Sequence, residues 1–143
     1  MAQQIIEAWV KEGDTDVVLS LNRLNLTELP PLPKNVIKLN CSENKLRTLP
    51  DLSLVTELNC SDNKLTSLPE LPRVRVLNCM MNKLTALPDL PSVRELNCSY
   101  NNLTSLPEIP MVTKLNCDDN KLTSLPNIPL ITKANNISCC LLL

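Results

Sequence analysis

The chain lacks histidine and phenylalanine, and it has one tryptophan (Trp9), one tyrosine (Tyr100) and one glycine (Gly13) in 143 residues. Each shortage excludes something. Without histidine, the commonest general base and the commonest metal ligand are missing, which argues against an enzyme and against a metal centre. With so few aromatics, leucine must supply most of the buried surface. A single glycine cannot build a Gly-rich phosphate loop. Net charge is −1 with acids and bases interspersed, so there is no basic stripe to hold nucleic acid. No apolar run reaches membrane-spanning length, and the opening "MAQQIIEAWVKEGD" is too polar for a signal peptide. A soluble chain in a reducing cytosol is expected, with no cofactor.

What is present is leucine and proline in strict order. The units "LNCSENKLRTLPDLSLVTE", "LNCSDNKLTSLPELPRVRV", "LNCMMNKLTALPDLPSVRE", "LNCSYNNLTSLPEIPMVTK" and "LNCDDNKLTSLPNIPLITK" cover residues 39–133 with a period of 19. A looser unit of 20 residues, "LSLNRLNLTELPPLPKNVIK", precedes them. Such a period marks a solenoid. Leu39 and Cys41 are two apart, as are Leu58 and Cys60, so on a strand each pair faces the same side. One strand per coil, always in the same sense, makes a parallel sheet. Leu46 and Leu49, and their repeats, turn inward after the strand. Proline follows at once, which rules out an α-helical return and favours an extended, polyproline-like back. The reading is a leucine-rich-repeat solenoid: short parallel strands on the concave face, an extended convex face and an N-terminal capping helix.

Three segments follow: a capping helix in 1–16, six repeat units in 17–133, and a partial repeat with a tail in 134–143. In the helix, Ile5, Ile6, Trp9 and Val10 form the apolar face that covers the first repeat, and Gly13 stops it. No comparable cap is expected at the other end.

The pattern V-x-x-L-x-C-x-x-N-x-L-x-x-L-P-x-L-P, with "LTSLPELP" and "NKL" as its specific parts, resembles the LPX-type leucine-rich repeats of bacterial effectors. The families concerned are those of Yersinia outer protein M and invasion plasmid antigen H. A helix carrying Trp9 ahead of the first unit is similar too. The resemblance covers residues 17–133 and implies a protein-binding role in virulence. The ubiquitin-ligase domain that many such effectors carry has no counterpart here, so its activity is not implied. Cysteine also replaces the usual Val or Leu on the strand.

Two ladders look structural. Cys41, Cys60, Cys79, Cys98 and Cys117 form a straight row that cannot surround a tetrahedral metal, and disulfides are rare in reducing compartments. They are expected as small, buried, reduced side chains. Asn44, Asn63, Asn82, Asn101 and Asn120 are expected to bond backbone groups at the turn after each strand. A further row, Asn40, Asn59, Asn78, Asn97, Asn116 and Asn135, lies between inward residues and so faces out. Its amides, about 4.8 Å apart, are expected to bond one another along the row or to meet a partner.

Variable positions beside that row are where specificity would reside. Before the inward leucine come Lys38, Glu57, Val76, Glu95, Lys114 and Lys133. After the inward cysteine come Ser42–Glu43, Ser61–Asp62, Met80–Met81, Ser99–Tyr100 and Asp118–Asp119. The centre is apolar. Val76, Met80, Met81 and Tyr100 are expected to cluster on the concave face beside Asn78 and Asn97, with Arg75 and Arg94 at the edge, as a protein-binding surface. Ordinary drift at tolerant positions is the alternative. Lys45, Lys64, Lys83 and Lys121 line one rim as a solvated edge.

The tail "SCCLLL" leaves the period of 19: Cys139 falls where Asn120 predicts, and Leu142 and Leu143 fall where Thr123 and Ser124 do. Read as a terminus, Cys140-Leu141-Leu142-Leu143 is a C-a-a-X box whose final leucine favours geranylgeranyl. It resembles the endings of prenylated small GTPases of the Rho type. One lipid anchors weakly, and palmitoyl on Cys139 would supply a second signal. The expectation is a non-enzymatic effector, secreted into a host cell. A host prenyltransferase would modify it, the lipid would hold it at a host membrane, and it would bind a host protein. The alternative is a soluble cytosolic binding or inhibitor protein whose end only caps the solenoid.

Overall fold

A computed structural model describes residues 1–131 and 137–141. Helix α1 (Ala2–Glu12) is followed by β1 (Leu19–Ser20), β2 (Lys38–Asn40), β3 (Glu57–Asn59), β4 (Val76–Asn78), β5 (Glu95–Asn97), β6 (Lys114–Asn116) and β7 (Ile137–Ser138). The seven strands form one sheet in chain order, every pair parallel. At about 4.8 Å per strand the sheet is about 29 Å long.

Equal spacing in sequence becomes exact stacking in space. Leu39 lies opposite Leu58, Leu58 opposite Leu77, and Leu77 opposite Leu96. Side chains therefore run in columns. The strand leucines, the cysteines, the column Leu46–Leu65–Leu84–Leu103–Leu122 and the valines Val36, Val55, Val74, Val93 and Val112 are all buried. Each buried leucine contributes roughly 1.5–3 kcal/mol relative to exposure, so leucine alone replaces the absent aromatics. The returns are extended, as the prolines require. Each makes one tight turn, in which Val74 N–H donates to Leu71 O at 3.3 Å and Val55 N–H to Leu52 O at 3.0 Å. Backbone bonds between coils continue past the strands: Cys60 N–H donates to Asn78 O at 2.8 Å and Asp62 N–H to Met80 O at 2.9 Å.

Helix α1 covers the first coil. Ile6 and Trp9 are buried, and Trp9 Nε1 donates to Val17 O at 2.9 Å, tying the helix to the segment that enters β1. Gly13 ends the helix at φ 71°, the left-handed conformation glycine adopts without strain, and its N–H bonds Trp9 O. Val10, expected on the covering face, is 53% exposed. The apolar stripe centres on Ala2, Ile5, Ile6 and Trp9, and Val10 lies one helical step, about 100°, beyond Trp9.

The tail corrects the expectation that the register ends. Ile137 pairs with Leu115 and Ser138 with Asn116. Ile137-Ser138-Cys139 thus takes the place of Leu-Asn-Cys, offset by 22 residues instead of 19. The sequence slips by three residues and resumes the pattern. The C-terminal end, expected without a cap, gains a seventh strand over Leu115 and Cys117.

Candidate functional site: the concave face and the terminal coil

The buried asparagine ladder joins one coil to the next. Asn82 Nδ2 donates to Cys60 O at 3.0 Å in the preceding coil and to Cys79 O at 3.1 Å in its own, and Asn82 Oδ1 accepts from Leu65 N–H at 3.0 Å. Asn44, Asn63, Asn101 and Asn120 repeat this arrangement. The ladder is architecture, as expected.

The outward asparagines behave differently from expectation. Among the described residues they do not bond one another. Each Oδ1 turns to its own chain and accepts the N–H two residues on: Ser42 to Asn40 at 3.1 Å, Ser61 to Asn59 at 3.1 Å, Met80 to Asn78 at 3.2 Å, Ser99 to Asn97 at 3.2 Å and Asp118 to Asn116 at 3.2 Å. The reason is competition. A turn N–H two residues away is a nearer partner than an amide on another strand. Asn135 of this row, and Lys133 of the row before the leucines, lie outside the described residues.

Beside the amides runs the row Lys38, Glu57, Val76, Glu95, Lys114. Parallel register puts Lys38 opposite Glu57 and Glu95 opposite Lys114, and the pairs meet at 3.4 and 3.7 Å. Exposed pairs of this kind add little stability. Their effect is to neutralise the row and leave Val76 alone at its centre. Val76 lines two shallow hollows of the concave face, one shared with Asn78, Glu95 and Asn97, the other with Asn59 and Asn78.

Just after the strands, Glu43, Asp62, Met81, Tyr100 and Asp119 adopt φ between 53° and 55°. The left-handed region costs a non-glycine residue roughly 1–2 kcal/mol. Nothing in the composition signals this column except the near-absence of glycine, which would otherwise occupy it. Met81 and Tyr100 sit there on neighbouring coils, 47% and 56% exposed, with Asn82 N–H bonded to Tyr100 O between them. Val76 lies with Asn78 and Asn97 inside the sheet, while Met81 and Tyr100 stand at the edge where the strands turn. Met80, half-buried between them, receives the Asn97 amide on its sulphur at 3.8 Å. Arg75 and Arg94 are exposed just ahead of the strands, and their carbonyls accept ladder bonds from the following coil.

The thiols of Cys41, Cys60, Cys79 and Cys98 are buried and free. Burial pushes Cys41 and Cys98 up to about 12, and Cys60 and Cys79 well above the ordinary thiol value. They are inert as nucleophiles. Cys117 departs from the expected row of reduced thiols, because its sulphur is bonded to that of Cys139. The two residues face each other across the β6–β7 pairing, with their Cα atoms 4.7 Å apart. This also removes Cys139 as a thiol for palmitoyl in this structure. Cys140 is exposed and free, and its thiol is raised by the charge of, and a hydrogen bond to, Asp118. Leu142 and Leu143 lie outside the described residues. Among the described residues there is no cluster able to hold a metal ion and no helix long and apolar enough to cross a membrane.

A family model described as leucine-rich repeats in two copies matches residues 53–92. The chain superposes on the leucine-rich-repeat domain of a Shigella effector with a TM-score of 0.84 and 32% identity, over 98% of this chain and 74% of that one. The chain belongs to the leucine-rich-repeat family. This leucine-rich-repeat protein also resembles YopM of Yersinia pestis, a leucine-rich effector (TM-score 0.75, 31% identity, 92% of this chain, 45% of that one). The same holds for YopM of Yersinia enterocolitica (TM-score 0.70, 31% identity, 98% of this chain, 38% of that one). The chain spans less than half the length of either YopM. No curated protein matches it.

Proposed function

We propose that this chain is the protein-binding module of a bacterial effector with LPX-type repeats, secreted into a host cell, where it takes a host protein on its concave side. The observation that carries the reading is the pair Met81 and Tyr100. Two large apolar side chains stand exposed, on adjacent coils, at positions where the backbone is strained. Other coils carry Glu or Asp at this turn position, so the apolar pair is a local patch that the turn itself does not require and that a partner would cover. The role needs no catalysis and no cofactor. The effector repeats it resembles support the setting. Alanine at Met81 and Tyr100 tests it: capture of the host protein should fall at least tenfold with the melting temperature unchanged or raised, and undiminished capture would refute the assignment.

The same proposal places the module at a host membrane through a prenyl group on Cys140, added by a host prenyltransferase. Cys140 is exposed and precedes three leucines in the sequence, which supports this. A second reading is favoured by the pairing of β7 and the bond between Cys117 and Cys139: the tail closes the solenoid and the module stays soluble. Mass spectrometry after expression in eukaryotic cells separates them. A geranylgeranyl adduct on Cys140 with loss of Leu141 to Leu143, and release from membranes on Cys140→Ser, supports the tether. An unmodified tail supports the cap.

A further inference from the structure

The outward asparagines have a fixed polarity. Only a carbonyl oxygen can accept the N–H two residues on, so in Asn40, Asn59, Asn78, Asn97 and Asn116 the amide nitrogen is the end left for the concave face. Among the described residues, the Asn97 nitrogen bonds the Met80 sulphur, and the other four have no partner within the chain. The row is bounded. Ser20, at one end, gives its hydroxyl proton to Asn22, and Ser138, at the other, to Asp118. Lys38 and Lys114 balance the charge of the flanking Glu57 and Glu95. The middle of the face is thus a line of amide donors about 19 Å long, flanked by charges that balance.

Such a row disfavours an ordinary extended peptide at the N–H groups aimed at it, which would meet donors instead of acceptors. It fits a backbone that has carbonyls and no N–H. Proline-rich chain is that backbone. In the polyproline II helix one face repeats every three residues, a rise of about 9.3 Å. Two strand spacings are about 9.6 Å. Carbonyls at i, i+3 and i+6 therefore meet every second asparagine, with a mismatch of about 0.6 Å across the row. The register is set by side chains. Only Asn78 has an apolar neighbour on both sides, Val76 and Met80, where a pyrrolidine ring can pack, and Asn97 is already turned to sulphur.

We propose that the concave face binds a proline-rich segment of about seven residues in polyproline II form, with Asn40, Asn78 and Asn116 donating to carbonyls on successive turns. This rests on the reading of the concave face as a protein-binding surface and names the partner's chemistry. The test is fluorescence polarisation of the full chain with labelled nonaproline, against a Gly-Ser peptide and an acidic peptide of equal length. Asn→Asp is the informative substitution, since it keeps the oxygen that accepts the turn N–H, removes the donor, and adds the same negative charge at each position compared. Nonaproline should bind at least tenfold tighter than either control. N78D should weaken it about tenfold, the worth of one good hydrogen bond, and N59D should do so much less. Equal affinity for the three peptides, or equal sensitivity at Asn59 and Asn78, overturns the proposal. If nonaproline is ignored while capture of host protein still depends on Tyr100, this inference falls and the binding reading stands. If neither occurs, both fall.

Discussion

Replacing Asn82 by alanine isolates what holds one coil to the next. Its side chain donates to Cys60 O and Cys79 O and accepts from Leu65 N–H, all at 3.0–3.1 Å, with a longer bond to Met80 O at 3.3 Å. Leu65, Cys60 and Cys79 are fully buried, so no water replaces the lost partner. At about 1 kcal/mol net per bond, and more where a buried group is orphaned, the loss is about 3–4 kcal/mol. That is a large share of the roughly 5–15 kcal/mol that stabilises a domain. Asn78→Ala is the control. It removes one turn bond, to Met80 N–H at 3.2 Å, from a half-buried site, and should cost about 1 kcal/mol. Urea unfolding followed by far-UV circular dichroism measures both. Trp9 fluorescence adds a local probe, because Trp9 reports the N-terminal cap alone. In the Asn82 variant the two probes should separate, as expected when one interface of a repeat array is weakened. Equal losses for the two variants, or a loss under 1 kcal/mol for Asn82→Ala, would refute the view that the buried amides are the ties between coils.

The other predictions use the thiols and the strained turns. Cys41 and Cys98 are raised to about 12 in the folded chain from an ordinary 9.0, so the folded state keeps protons that the unfolded state gives up. Their stabilisation is complete below pH 9 and is lost as pH rises from there toward 12, at about 1.4 kcal/mol per thiol per pH unit. The melting temperature should fall steeply above pH 9, and a flat profile to pH 11 would contradict it. A thiol reagent should modify one cysteine in the native chain, Cys140, and five when the chain is unfolded without reductant. Its native reaction should be slower than that of a free thiol because of Asp118. Met81→Gly should raise stability by about 0.5–1 kcal/mol, the strain relieved less the added freedom of the unfolded chain, while weakening capture.

The fold was legible because the repeat leaves few choices. Leu-x-Cys at a constant interval demands a strand, and Leu-Pro-x-Leu-Pro demands an extended return. The buried asparagines were legible for the same reason, since a tight turn beside a buried strand has backbone groups to satisfy. Three features were not. The polarity of the outward asparagines depends on whether a turn N–H or a neighbouring amide is nearer, which spacing alone does not reveal. The left-handed column carries Glu, Asp, Met and Tyr, residues without the glycine signature of that conformation. The terminal coil was hidden by three extra residues. Aligning Ile137-Ser138-Cys139 on Leu-Asn-Cys, instead of counting in nineteens, recovers β7 and the pairing of Cys139 with Cys117.

Hydrogen exchange on the full chain, alone and in complex with the host protein that it is proposed to bind, tests the central claim most directly. The account predicts new protection in β4, β5 and the turns carrying Met81 and Tyr100, with the proline-bracketed returns on the opposite side unchanged. Protection confined to those returns, or to the terminal coil, would contradict it.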